Sequence, residues 1–540
     1  MKRFSVFMTF IFTMSTIFAN QYKIVDVDYN IKGITRKYVL DTKVPVDKNK
    51  IFYSEDELLS YLADYSQKLE NTRTFETVEI DFVVDENPSE FVINEETNSQ
   101  QDLYYVHLKV STKDSSHLLA LPYAKTTPNG SSGQNIVVKF KIKDTNFLGS
   151  METMGIDVNV EIETKEQGEI PDFKLGFNTS FYTPFKMGII DCTWGNSIDF
   201  SYTFGKHLPE WDIQTGVDFS MPFDKFSLKL SVNQYAINDL DYYQKKDESG
   251  EIYNDNIYFK ESVDFSAPIE IQDIQNWGKI YYTPKLGFNY NWDFDGIRDE
   301  DLKGPIVSAD QTVSTSRVNW IGNFRNGIGI SISTPFSYNF QTEEFVSGIN
   351  GELTLYKAFK YVGIYSRSYA FANLSSIQDG GKKNIGSRLR GIRHEQYFDE
   401  STGHSNWYAT ETPAAFVFNI DVPIHIFTFC FEEWPFIKKH KKLSKIMSIF
   451  DNELQISPFI DFALVHNRAT NTNFHPRDGF YSGGLEVLVY PKKWKNYTVR
   501  ASFGVDLGRK MPYFKKFINQ DWRDSSVSSY ELTIDLTMFY

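Results

Sequence analysis

The chain ends Tyr530-Glu531-Leu532-Thr533-Ile534-Asp535-Leu536-Thr537-Met538-Phe539-Tyr540, with apolar or aromatic residues at every even position and polar ones at odd positions until Phe539. A period of 2 sustained over a whole segment makes a strand with one oily face and one wet face. The pattern recurs. Ile136, Val138, Phe140 and Ile142 alternate with Val137, Lys139, Lys141 and Lys143, and Met154, Ile156, Val158, Val160 and Ile162 alternate with Gly155, Asp157, Asn159, Glu161 and Glu163. Further copies run over 198–204, 226–232, 416–424, 454–464 and 497–507. A soluble sandwich would break this rhythm where both faces are buried, whereas a retained set of Lys, Asp, Glu and Asn suits a water-filled lumen. The expected fold is all-β and transmembrane: an antiparallel barrel over 135–540 with about 16 strands. The strand carrying Tyr530, Leu532, Ile534, Leu536, Met538 and Tyr540 closes it.

The N-terminus agrees with export. Lys2 and Arg3 precede an uncharged apolar run over 4–18 and then Ala19, the layout of a secretory signal over 1–20. A membrane-spanning helix needs roughly 20 apolar residues, more than this run supplies, and no Cys follows to carry a lipid anchor. Mean hydropathy is negative although the chain holds 46 Phe and 32 Tyr. Barrels combine these properties, because only alternate residues face lipid and aromatics gather in the two interfacial girdles. The net charge of -14 argues against nucleic acid as a partner. Cys192 and Cys430 are too few for a disulfide scaffold, and a bridge between them stays open.

Residues 21–114 read as a small α+β domain. Tyr22 to Tyr29 is strand-like, and Ser54-Glu55-Asp56-Glu57 is a capping box opening a helix whose one face carries Leu58, Tyr61, Leu62, Tyr65 and Leu69. Alternation over 78–83 and 104–110 adds two strands. The Pro/Gly/Ser-rich stretch after it makes 115–134 an expected linker to the barrel.

Three places go beyond a generic barrel: Leu389-Arg390-Gly391-Ile392 in a long Gly-rich loop, Pro458-Phe459-Ile460-Asp461-Phe462 inside a later strand, and Asp144-Thr145-Asn146-Phe147-Leu148-Gly149 in the expected first hairpin. Together with the preceding module they resemble the BamA/TamA superfamily of outer-membrane assembly and translocation barrels, surface antigen type included. That family places POTRA domains before a 16-stranded barrel and folds its sixth outside loop into the lumen on a (Val/Ile)-Arg-Gly-(Phe/Tyr) motif. The 69–78 stretch is similar to a POTRA helix-to-strand junction. By the same resemblance Arg390 pairs with Asp461 of a Phe-x-Asp motif, Phe459 and Asp461 here. Alternation supports the pairing on its own: with Leu454, Ile456, Ile460, Phe462 and Leu464 toward lipid, Phe459 and Asp461 face the lumen. An Arg inside a barrel needs a carboxylate, which its planar fork suits. Five strands can be drawn after the Arg-Gly loop, as the family requires. The sequence departs from the family at Ile392, where an aromatic is usual, and in having room for a single POTRA.

The resemblance implies an outer-membrane barrel with its POTRA-like domain in the periplasm. It would insert or translocate unfolded client proteins through a lateral seam between first and last strands. Its partners would be the lipid bilayer, the clients, and periplasmic chaperones or accessory lipoproteins; it implies no enzyme activity and no cofactor. The alternatives are a dedicated two-partner exporter, a passive channel and a surface antigen.

Other signals are weaker. Phe436, Leu443, Met447 and Phe450 share one helical face within 434–450, with Lys438, Lys439, Lys441, Lys442 and Lys445 around the rest; a basic amphipathic helix there would lie in the membrane interface, and a helix docked on the N-terminal module is the alternative. Asp293, Asp295, Asp299, Glu300 and Asp301 crowd one loop without EF-hand spacing and read as a solvated outside loop. The 9 His form no zinc-spacing motif, and neither a Gly-x-Ser-x-Gly elbow nor a Walker-type loop is present.

Overall fold

A computed structural model of the chain describes residues 20–94, 99–129, 133–163, 171–246, 250–274, 277–375, 382–392, 410–523 and 529–537. The leader expected over 1–20 lies outside them but for Asn20, as do Met538 and Tyr540 of the last strand.

The N-terminal domain is a mixed sheet under two helices. Gln21–Lys32 runs parallel to Ser99–Asp114, which pairs antiparallel with Phe75–Val84. The helix Glu55–Asn71 starts where the capping box predicts: the Ser54 hydroxyl accepts from Glu57 N at 3.1 Å, and Tyr53 N donates to the Glu57 carboxylate at 3.0 Å. Leu58, Leu62, Tyr65 and Leu69 pack on Ile24, Phe52, Val106 and Leu108, forming one closed core. A second helix, Lys37–Lys43, and an added strand, Glu90–Asn94, carry no strong sequence signal.

The rest closes into an antiparallel barrel of twenty-one paired segments. Two strands are each split at a proline, which has no N–H to give the ladder: Ile257–Ser266 with Ile269–Ile274 around Pro268, and Ala414–Asp421 with Ile424–Phe429 around Pro423. The two-residue Thr472–Asn473 is a flap on its neighbour. Counted so, the described residues make eighteen strands rather than sixteen. Five follow the Arg-Gly loop as expected; the surplus lies before it.

Part of that surplus corrects the linker. Leu118–Asn129 is the first barrel strand, twelve residues in register with Gly133–Asp144. Its prolines suggested a loop, but an edge strand tolerates proline. Residues 144–149 therefore turn between the second and third strands, not within the first hairpin. The helix expected over 434–450 is also corrected: it is two short helices, Pro435–Lys438 and Lys441–Met447, broken at His440. In the acidic loop, Asp295, Glu300 and Asp301 are exposed as expected, whereas the Asp299 carboxylate is buried and held by Lys245 at 2.9 Å and the Tyr253 hydroxyl at 2.9 Å. Cys192 and Cys430 are both free thiols.

Alternation sorts the barrel's two faces. Val138, Val158, Ile213, Leu286, Ile332 and Ile460 are exposed on the outside, members of an apolar belt far larger than a soluble monomer tolerates.

Candidate functional site

The inner loop meets the barrel wall at Arg390. Local sequence brings it there: Gly386–Arg388 forms a single 3-10 turn, and Gly391 then takes φ of +90°, a left-handed conformation open to glycine. A Cβ on Gly391 would stand 2.7 Å from the backbone of Gly504 and Val505, and one on Gly504 would stand 2.8 Å from the Arg390 carbonyl carbon. Two glycines thus let loop and wall touch backbone to backbone. Leu389 and Ile392 anchor either side, buried with Ile385, Val417, Val465, Phe480 and Trp522. Ile392 is itself only 3% exposed within this cluster.

From that position the guanidinium is held on several sides. Arg390 Nε and Nη2 form a two-pronged pair with Asp461, at 2.9 and 2.5 Å, and its backbone N–H adds a third bond at 3.1 Å. Nη1 donates to Asp421 at 2.5 Å and to Glu486 at 3.0 Å. The guanidinium carbon lies 3.6 Å from the centroid of the Phe459 ring, a cation–π stack. Arg367 reaches Asp421 at 3.3 Å, Arg500 reaches Glu486 at 3.0 Å, and Asn419 donates to Asp461 at 2.8 Å. Buried Arg390 and the half-buried Arg367 and Arg500 thus face three buried carboxylates, so each acid has a cationic partner, a requirement for keeping ions out of water.

The expected pair of Arg390 with Asp461, and Phe459 beside them, are brought together as the sequence reading requires. Asp421, Glu486, Asn419, Arg367, Arg500 and Gly504 were missed. Each acid is a lone charge at an inward position of an otherwise apolar strand, Ala414–Asp421 or Phe480–Pro491, which is a usable signal.

The closing strand Tyr530–Thr537 carries Tyr530, Leu532 and Ile534 outward and exposed, as alternation predicts; Leu536 is in the strand, and nothing further is described of its side chain. Glu531 points inward, buried, and accepts from Gly391 N at 3.1 Å. The inner loop thus touches the last strand. That strand pairs over eight residues with Thr498–Asp506, but only Leu532 with Thr126 and Thr533 with Lys125 are in register with Leu118–Asn129 among the described residues.

The 144–149 turn serves a different joint. Asn146 is fully buried, donates to the Thr35 hydroxyl at 2.7 Å and accepts from Met151 N at 2.8 Å. The Asp144 carboxylate accepts from Asn146 N at 2.9 Å, the Gly149 carbonyl accepts from Arg36 N at 3.0 Å, and the Phe147 ring stands 6.1 Å from that of Phe181. These residues bind the N-terminal domain to the barrel. Arg73 reinforces the joint, with its guanidinium 4.3 Å from the Trp320 ring and bonded to the Gly322 and Lys495 carbonyls and to Asn323. Burial pulls Arg73 down to about 10, so it stays charged at neutral pH.

No protein-family model matches the chain, and no curated protein does. Solved structures are similar at low identity. CdiB from Acinetobacter baumannii aligns at 11% identity with a TM-score of 0.44 over 95% of this chain and 73% of that one. CdiB from Escherichia coli aligns at 8% and 0.44 over 96% and 77%. BamA from Haemophilus ducreyi lacking POTRA domains 1–3 aligns at 12% and 0.36 over 96% and 85%.

Proposed function

We propose that this chain is an outer-membrane barrel that assembles or translocates client proteins through the seam between its first and last strands, with the N-terminal domain in the periplasm. The observation that carries the reading is the seam, held among the described residues by two residue pairs where its flanking boundaries have eight and twelve. Pro122 and Pro128 have the same parity in the opening strand, so both nitrogens face one edge and deny it donors. In lipid an unpaired backbone group costs several kcal/mol, so a seam with few pairs is the boundary that opens most readily. Its free edges then offer a client strand the partners it lacks, by β-augmentation. Client strands would leave the aqueous side without exposing unpaired backbone to lipid.

A passive channel is the weaker reading, because the loop at Arg390 takes up lumen space against Asp421, Asp461, Glu486 and Glu531, and the helix Glu55–Asn71 is bonded to the barrel at 317–320. Asp64 on that helix pairs with Arg317 at 2.6 Å, and Asn71 reaches Asn319 at 3.0 Å.

The test is a lock across the seam. Lys125→Cys with Thr533→Cys, in a chain whose Cys192 and Cys430 are replaced by Ser, places two thiols opposite each other at disulfide range. Oxidation is expected to stop assembly of a barrel client in proteoliposomes, and reductant to restore it. An oxidised barrel that assembles clients at the reduced rate would overturn the seam mechanism.

A further inference from the structure

Residues 430–451 join two barrel strands on the side of the N-terminal domain, since Lys492 N bonds the Asp451 carbonyl at 2.9 Å and the neighbouring Lys495 carbonyl takes Arg73. A simple turn would suffice there, yet this connection is long, aromatic and basic. We infer that it is a foot that rests in the phospholipid headgroup layer of the leaflet on that side. The inference rests on the membrane reading of the barrel and adds a contact which that reading does not need.

Continuity with the lipid face argues for it. Phe427 is in register with Leu454 and Phe429 with Asn452, on the outward face that also holds Ile456 and Ile460. From Phe427 the rings run in an unbroken series: Phe427 to Phe429 at 4.3 Å, Phe429 to Phe431 at 5.5 Å, Phe431 to Trp434 at 5.0 Å. The series leaves the barrel wall and enters the foot without turning inward. Trp434 is 51% and Phe436 71% exposed, with Ile446 and Phe450 exposed beside them. Such a patch in water is a liability, while Trp and Phe at the membrane boundary are favourable.

Charge fits the same occupant. Lys438, Lys439 and Lys442 are exposed around this apolar patch, and Glu433 is an exposed acid nearby. Lysines flanking a buried apolar face are what binds phosphate headgroups while the rings enter the acyl boundary. Among the described residues the N-terminal domain makes its bonds to the barrel elsewhere, to Asn146, Gly149, Pro184, 317–323 and Lys495.

Depth-dependent quenching tests it on the full chain in proteoliposomes. Trp194, exposed on the lipid side of Ile190–Thr203, is the internal reference. Its signal and that of Trp434 are each isolated by subtracting a Trp→Phe variant. Headgroup spin-labelled and acyl-brominated lipids should both quench Trp434, the headgroup label more strongly, while Trp194 favours the acyl label. Quenched Trp194 with unaffected Trp434 would overturn the foot and leave the barrel's location intact, as would a second protein covering the patch. Quenching of neither would remove the membrane reading itself. In vesicles containing phosphatidylglycerol, Lys438→Glu, Lys439→Glu and Lys442→Glu together should weaken quenching of Trp434 by the headgroup label; no change would overturn the role of the lysines.

Discussion

At the scale of residues, the lumenal knot is a charge problem with one solution. Arg390 neutralises parts of three carboxylates at once, whereas each carboxylate has a further partner. Removal of the arginine therefore strands more charge than removal of any acid. Arg390→Ala should cost about 3–5 kcal/mol, and Asp461→Ala less, because Asp421 and Glu486 still hold the guanidinium. Arg390→Lys should rescue little, since a point charge cannot span the set that a planar fork reaches. The temperature at which the compact barrel is lost on heating in detergent reads all three, and equal melting of the two alanine variants would contradict the asymmetry. Arg390 and Asp461 were legible in the sequence through a short motif and strand parity. Gly391 came with that motif, but its partner Gly504 did not, because a close approach between segments far apart in sequence leaves no local pattern.

At the scale of elements, the closing strand is gripped from inside the barrel more firmly than from its free edge. Glu531 takes the Gly391 N–H, so the loop that Arg390 fixes also fixes the strand that must move. Glu531→Ala removes a charge-assisted bond of about 1.5–3 kcal/mol. Amide exchange over Tyr530–Thr537 should then quicken by roughly tenfold or more while the strand Phe480–Pro491 keeps its protection; unchanged exchange in the closing strand would separate the loop from the seam. Sequence periodicity found this strand because one face is lipid and the other water. It failed for Leu118–Asn129, where Pro122 and Pro128 carry a loop's signature. The physical meaning of those prolines, an edge with donors removed, appears only once both neighbours are known. The helix over 434–450 failed for a related reason: the apolar spacing is helical, but nothing in it marks the break at His440.

At the scale of the whole molecule, strand number and lumen content have to be weighed together. A barrel whose described residues make eighteen strands has room for an aqueous channel, so its permeability is decided by what fills it. We predict that two bodies obstruct it in series: the loop that Arg390 holds against the inner wall, and the helix Glu55–Asn71, bonded to the barrel through Asp64, Asn71 and the Arg73 joint. In planar bilayers the unaltered chain should give small, infrequent openings. Arg390→Ala alone frees the loop but leaves the helix in place, and Asp64→Ala with Arg73→Ala frees the helix but leaves the loop. Each set should therefore raise conductance only modestly, and the triple variant should raise it more than the two effects combined, because obstacles in series must both be removed for ions to pass freely. Large, steady conductance from the unaltered chain would mean that the lumen is open after all and would favour the passive channel. A triple variant no more conductive than Arg390→Ala would mean that the helix does not close the opening and that the domain's joint with the barrel serves only to position it.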